Sequence, residues 1–308
     1  MAWTKLGRIF KTTNNADWMS SYSSVPFALP LNKSIVRIFF SPRDYQNRSY
    51  IAWLEIDINE PTNILRLSTE PFLIPGLTGT FDDCGVMPSW ISKWQNEYIF
   101  YYIGWNVRNT VPFHQGLGKI RFDSLKDVIG EVTATNAVGP FMDRSEFDPF
   151  YVTNPCIIQH EDQLMMWYLS GIGWFEDGEE LKSKYVIKLA TSKDGETWCR
   201  SKQPIIGLKD QDEIALARPS VLVDDEGFHM WFSYRSKEVS YRIGYAYSPD
   251  GVSWQRNSEY NDAPNVSLEG WDSHMIAYPH VFQMGKVKYM LYCGNDWSKE
   301  GFGIARYD

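Results

Sequence analysis

The chain has 308 residues and a formal net charge of −8 at pH 7, which argues against a phosphate backbone or an anionic membrane as partner. No apolar run of roughly 18 residues exists, and MAWTKLGRIFKTTNNADW lacks the apolar stretch of a signal peptide, so a cytoplasmic protein is expected, with no nucleic acid and no membrane partner. Aromatic residues reach 16%, including 13 Trp and 18 Tyr, enough both to fill sheet cores and to line a sugar-binding funnel.

Taken in chain order, the first strand signal is KLGRIF (5–10). A diverged repeat follows, anchored on Pro30, with SIVRIFFSP (34–42) and YIAWLEIDI (50–58) as its strands. Four clearer copies come next: MPSWISKWQNEYIFYYIGW from Met87, NPCIIQHEDQLMMWYLSGIGW from Asn154, RPSVLVDDEGFHMWFSYRS from Arg218 and YPHVFQMGKVKYMLYCGND from Tyr278. Each opens on Xaa-Pro, runs through a short apolar strand and a polar turn, and continues into an aromatic strand. The turns ATSKDGETWCR (190–200) and AYSPDGVSWQR (246–256) recur with Asp-Gly, which supplies a tight hairpin, and a Trp (Trp198, Trp254) expected to start the fourth, outer strand and pack back on the blade. The final segment, GFGIARYD (301–308), matches a third strand and then ends, so KLGRIF is expected to supply the missing fourth.

Five units at intervals of roughly 60 residues predict an all-β chain. The expected fold is a five-bladed β-propeller with four-stranded antiparallel blades, a single domain over residues 1–308, its ring closed by the N-terminal strand. Cys84, Cys156, Cys199 and Cys293 lack metal spacing and read as reduced thiols.

The Xaa-Pro inner strands, the Met-Trp-[Phe/Tyr] second strands and the [Ser/Thr]-x-Asp-Gly-x-[Ser/Thr]-Trp turns resemble the arabinanase, invertase and levansucrase superfamily over residues 31–304. More narrowly, FSPRDYQNRSYI, FDDCGVMPSWI, YYIGWN, EIALARPSVL and GWDSHMIAYPHV look like relatives associated with bacterial surface-polysaccharide gene clusters. The resemblance implies a glycoside hydrolase, transglycosidase or phosphorylase whose site lies in the central funnel. Many members carry Asp directly before the blade proline, whereas Met87, Asn154, Arg218 and Tyr278 stand there here, so their catalytic triad does not carry over.

The residues themselves offer a set of acids five to seven positions before each anchor: Asp82 and Asp83, Asp148, Glu213 and Asp272, with Asp17 or Asp44 from the first unit. Glycosidic cleavage needs one carboxyl to donate a proton and a second to act as base or nucleophile. Glu213, ahead of the apolar IALA, is the expected general acid and Asp83 the expected base or nucleophile; Asp44 or Asp272 would tune pKa values or hold hydroxyls. Arg43, Arg218 and Arg235 either pair with these carboxylates or, with His280, bind an anionic group such as phosphate, a nucleotide-sugar diphosphate or an acidic sugar. Trp105 and Trp174 are expected stacking platforms, and Asn106, Asn154, Asn295 and Tyr278 further sugar contacts. His114, His160, His229, His274 and His280 form no ligand pair, so no transition metal is expected; a Ca²⁺ ion in the central channel stays open as a cofactor. The expected partner is a carbohydrate or sugar-phosphate ligand. A glycan-binding propeller without turnover is the alternative from another class.

Overall fold

The computed structural model describes residues 2–130, 133–257 and 262–308. Among them the regular structure is almost all strand, and no helix is long and apolar enough to cross a membrane. The chain starts with β1 (Trp3–Phe10). Then β2 (Ser21–Pro30), β3 (Ile35–Arg43), β4 (Ala52–Asp57) and β5 (Ile64–Leu67) pair in that order. β6 (Gly85–Trp94), β7 (Glu97–Val107) and β8 (Phe113–Phe122) make a three-stranded sheet. β9 (Val152–His160), β10 (Gln163–Asp177), β11 (Glu180–Ser192) and β12 (Cys199–Arg200) follow. After them come β13 (Glu213–Asp224), β14 (Gly227–Ser236), β15 (Arg242–Ser248) and β16 (Gln255–Asn257). One parallel pair, Tyr185 opposite Ala215, links these two groups.

The chain closes with β17 (Ala277–Met284), β18 (Val287–Cys293) and β19 (Phe302–Tyr307). β1 pairs antiparallel with β19, from Trp3 opposite Tyr307 to Phe10 opposite Phe302. The first strand of each group packs on that of the next, β2 on β6, β6 on β9, β9 on β13 and β13 on β17, and β17 also meets β2. Between groups the core is aromatic. Phe39, Phe72 and Phe100 meet with ring centroids 4.9 to 5.2 Å apart, and each ring so buried contributes about 1.5–3 kcal/mol.

Two expectations need correction. The group β6–β8 has three strands, not four; the segment after β8 takes the outer place, through bonds such as Leu117 N–H to the Met142 carbonyl at 2.9 Å. The first anchor is Pro26, not Pro30. Pro30 sits opposite Val36 at the end of a regular ladder, whereas the pairing of β2 slips between Ser24 and Phe27.

That slip explains the recurring Xaa-Pro. The ladder also shifts around Pro88, Pro155, Pro219 and Pro279. Proline has no N–H to give, so a bulge is the one place in an inner strand that tolerates it. The residues before four of these prolines take left-handed φ: Val25 at 48°, Asn154 at 51°, Arg218 at 53° and Tyr278 at 56°. Non-glycine residues held there cost of order 1–3 kcal/mol each, and such outliers cluster at functional sites.

The two Asp-Gly turns form as the sequence implies. Ser192 and Ser248 accept from the N–H of Gly195 and Gly251, both at positive φ, while Asp194 and Asp250 accept from two following N–H groups each. Those backbone donors hold the Asp194 carboxyl below the usual carboxylate range. Trp254 stands edge-on to Trp167 at 6.0 Å, and the Trp167 indole N–H donates to the Gly251 carbonyl at 2.9 Å, so this turn bolts one group to the one before it.

Candidate functional site

The acids nominated from the repeats fall into a structural pattern. Asp82, Asp148 and Asp272 accept from the hydroxyls of Tyr102, Tyr168 and Tyr292 at 3.0 to 3.1 Å, each tyrosine 20 residues downstream in the second strand of the same group. All three acids are at most 2% exposed. A base from the outermost strand completes two of these posts: Arg200 reaches Asp148 at 3.0 Å, and Lys5 of β1 reaches Asp272 at 2.6 Å. In the three-stranded group Asn136 serves instead, donating to Asp82 at 2.9 Å. Glu213 is the fourth variant. Arg256 grips it through two N–H groups at 2.7 and 2.8 Å, the Lys209 N–H adds a third bond, and Phe232 replaces the tyrosine beneath the guanidinium.

Asp44 is likewise enclosed, paired with Arg48 at 2.8 Å and accepting from the N–H groups of Gln46 and Arg48 and from the Tyr50 hydroxyl. Asn295 and Asn106 clamp loops. Asn295 accepts from the N–H groups of His274 and Met275 and donates to the Gly270 carbonyl; Asn106 donates to the Thr80 carbonyl and to Asp83. Asp83 differs from the other acids. It is partly exposed, with no ion pair among the described residues. Partial burial pulls its carboxyl upward, but bonds from Gly79, Asn106 and Cys84 outweigh this and hold it below the usual range.

What does gather at the ends of the first and second strands is cationic and aromatic. Arg43 ends β3, is partly buried, stacks 4.7 Å from the Tyr22 ring centroid and lies 5.5 Å from Trp105; its guanidinium donates to Asn47. Burial lowers its pKa, against the pull of Tyr22 and Tyr278. Trp105 is fixed by its indole N–H to Ser49 at 2.7 Å, and Gly85 leaves the room a Cβ would take from both. Arg235, near the end of β14, lies 5.4 Å from the Tyr241 ring, with Tyr185 bonded to Tyr241 beside it and its own Nε buried without a partner. Trp174 stands edge-on to Phe113 at 5.2 Å and close to Tyr151 at 5.9 Å, forming a wall; the Asn154 Oδ1 is buried and unbonded. Tyr278, on β17, lies within electrostatic reach of Arg43, Arg218 and Arg235.

Beneath this layer the axis is closed. Arg218 leaves β13 and donates to the carbonyl of Pro88 on β6 and those of Val25 and Pro26 on β2, the two inner strands that β13 does not flank. Its side chain therefore crosses the centre. Burial lowers its pKa to about 10, and no carboxylate pairs with it among the described residues. A guanidinium thus stands at the centre, where a Ca²⁺ ion would have needed carboxylates. His280 lies alongside, tilted against Phe27 at 4.5 Å and near Trp90 at 5.1 Å, its Nε2–H given to the Ala28 carbonyl.

Burial above all, then the Arg218 charge, push the His280 pKa down to about 3. A histidine depressed in the folded state supports folding above its unfolded pKa near 6.5, and that support is lost as pH falls toward 3. Between pH 7 and pH 5 the wild type should lose about 2 kcal/mol more than a His280→Gln variant, read from urea denaturation at each pH.

The chain is 37% identical over 313 residues to the uncharacterized proteins Rv1502 and MT1551 of Mycobacterium tuberculosis, strains H37Rv and CDC 1551, spanning 99% of this chain and 99% of each of theirs. It belongs to their family. No family model matches it. Among solved structures, this member of the family is similar in fold to one described as a BT0996 RGII complex, with TM-score 0.74 and 14% identity over 98% of its own length and 90% of that protein. It is also similar to a GH130-family structure, described among mannoside phosphorylases and hydrolases of beta-1,2 mannosidic linkages in Candida mannan (TM-score 0.67, 12% identity, 100% and 90% covered). A thermostable family-43 glycoside hydrolase follows at TM-score 0.61 and 14% identity, with 95% and 90% covered. The fold of this family is that of the propeller glycoside hydrolases.

For the family member in hand, the structure sets Tyr22 and Trp105 against Arg43 and Tyr241 against Arg235, with Tyr278 within electrostatic reach of both arginines and of Arg218. It leaves Asp82, Asp148, Asp272, Glu213 and Asp44 in closed pairs, buried because each accepts from two or more donors of its own sheet or loop. Tyr22, Tyr185 and Tyr241 were missed, as nothing in their spacing sets them apart. A cleft of about 1100 Å³ lies away from the axis, along β13 to β16, lined by Leu208, Phe232, Tyr234, Trp254 and Arg256. Asp224, Glu226 and His229 lie close enough to share an ion, but His229 and Lys288 already occupy Asp224 at 2.9 and 3.0 Å.

Proposed function

We propose that this chain is a single five-bladed propeller, closed by β1, whose axial pit binds a glycosyl group in polysaccharide metabolism, in the manner of a glycoside hydrolase-like protein. The observations that carry the reading are two aromatic groups, Tyr22 and Trp105 around Arg43, and Trp174 and Tyr278 packed in one cluster with Tyr151 and Tyr241, with Tyr278 within electrostatic reach of Arg43 and of the central Arg218. Sugar rings pack their C–H faces on such planes. The likeness to glycoside hydrolases supports the same reading.

Asp83 is the acid this reading keeps for chemistry, because it alone of those nominated combines partial exposure with freedom from an ion pair. Held ionised, it suits the base or nucleophile role rather than that of proton donor. Glu213 and Asp272, fastened to Arg256 and Lys5, favour the second reading, a propeller that binds glycans without turnover. Soaks with mono- and oligosaccharides should place density beside Trp105 and Tyr278; density confined to the outer wall would sink both readings. An Asp83→Asn variant separates them. Hydrolysis or transfer should fall at least about 100-fold with ligand affinity nearly unchanged, whereas unchanged turnover would remove Asp83 from the mechanism.

A further inference from the structure

We propose that the sugar taken by the axial pit carries a compact anionic group, a phosphate or a carboxylate, held between Arg43 and Arg235 beside the Tyr278 hydroxyl. This rests on the sugar-binding reading above and adds the charge of the ligand to it.

Both guanidiniums are partly buried, and neither has a carboxylate partner among the described residues. Such a placement is costly unless something neutralises it. The chain has an excess of acids, yet those set by the chain, the ladder register or their charge beside the two arginines are spoken for. Asp44 is held by Arg48 and Tyr50, Glu213 by Arg256, and Asp177, whose charge does reach Arg235, by Lys182 at 2.6 Å. What faces the two arginines instead is aromatic: Tyr22 and Trp105 against Arg43, Tyr185 and Tyr241 against Arg235. Aromatic faces orient a guanidinium without cancelling its charge; Asn47 takes a hydrogen bond from Arg43 and Tyr185 one from Arg235, and the remaining N–H groups are left for an anion.

Position adds to chemistry. Arg43 belongs to β3 and Arg235 to β14, whose inner partners β2 and β13 are not neighbours but both flank β17, which carries Tyr278. The two cations therefore come from strands on either side of β17, and Tyr278 lies within electrostatic reach of both. Arg218 lies below, its charge also unneutralised and its donors committed to backbone carbonyls. The Nε of Arg235 is buried without a partner, a donor that its own surroundings leave unsatisfied. A phosphate or carboxylate accepts bidentate bonds from arginine, and a positive pocket in a chain of net charge −8 draws such an anion inward.

The test is calorimetric titration of the full chain with glucose, mannose and galactose, with their 1-phosphates and uronic acids, and with inorganic phosphate. The expected result is a charged sugar binding at least about tenfold more tightly than its neutral parent, with an advantage that shrinks as salt rises and disappears in Arg43→Gln and Arg235→Gln. Phosphate or carboxylate is identified by which derivative gains. Should a variant fail to fold, judged by its thermal melt, the salt dependence of wild-type binding still decides. Neutral and charged sugars binding equally, independent of salt, overturn the anionic group and leave the sugar-binding reading standing. Inorganic phosphate binding as tightly as any sugar phosphate overturns the placement of the charge on the sugar. Binding of none of the panel overturns the sugar reading, and this inference with it.

Discussion

Removal of residues 2–10 is expected to abolish the folded state rather than trim it. The segment is β1, and without it β19 becomes an open edge able to pair with other chains. Ile9 and Phe10 leave a core in which Phe10 meets Phe40 at 5.1 Å and Phe302 at 6.3 Å, a loss of about 1.5–3 kcal/mol for each side chain. Lys5 leaves Asp272 buried, with only the Tyr292 hydroxyl and no cation, and stranding one partner of a buried pair costs about 3–5 kcal/mol. Together these rival the whole stability of an ordinary domain, about 5–15 kcal/mol. Expression of 11–308 should give aggregated or protease-sensitive protein. A cooperative melt within a few degrees of the full chain would contradict the role given to β1.

Asp148→Asn should be the most damaging single substitution of similar size. The carboxylate is fully buried and takes bonds from Tyr168 at 3.1 Å, Ser170 at 2.7 Å and Arg200 at 3.0 Å, with Lys188 at 3.3 Å. The amide keeps the shape and removes the charge, leaving two largely buried cations facing each other. The expected loss is about 3–5 kcal/mol, on the order of 10 °C in Tm, measured by urea and thermal denaturation. Asp212→Asn, at an exposed acid 3.6 Å from Lys237, should stay within about 0.5 kcal/mol. Equal effects from the two would mean the buried post carries no more than a surface pair.

The repeat was readable because period and Xaa-Pro are both imposed by the backbone: each inner strand needs a bulge, and proline marks it. The diverged first unit misled because Pro26 and Pro30 lie four residues apart and only pairing register tells them apart. Asp82, Asp148, Asp272 and Glu213 are bound up in hydrogen bonds and ion pairs of the framework, whereas Asp83, from the same offset, is free of an ion pair among the described residues. The recurrence of the first four follows from a repeated post, and two sequence signals for it were present. Tyrosines stand 20 residues after Asp82, Asp148 and Asp272, and Trp3-Thr4-Lys5 repeats the spacing of Trp198-Cys199-Arg200 and Trp254-Gln255-Arg256. The second signal also places β1 as an outer strand. The aromatic and arginine cluster was half legible. Arg43, Arg235, Trp105 and Tyr278 stand at strand ends, but which tyrosines face them depends on how separate sheets meet, and spacing along the sequence does not encode that.

Arg218 gives the molecule a direction. With its guanidinium tied to carbonyls on the far strands and Trp90, Phe27 and His280 packed behind it, the centre is a cul-de-sac and not a tunnel. On the sugar-binding reading proposed above, a ligand would have to back out the way it came, so a spent molecule lingering there would block its successor, and any turnover would be throttled by departure as much as by chemistry.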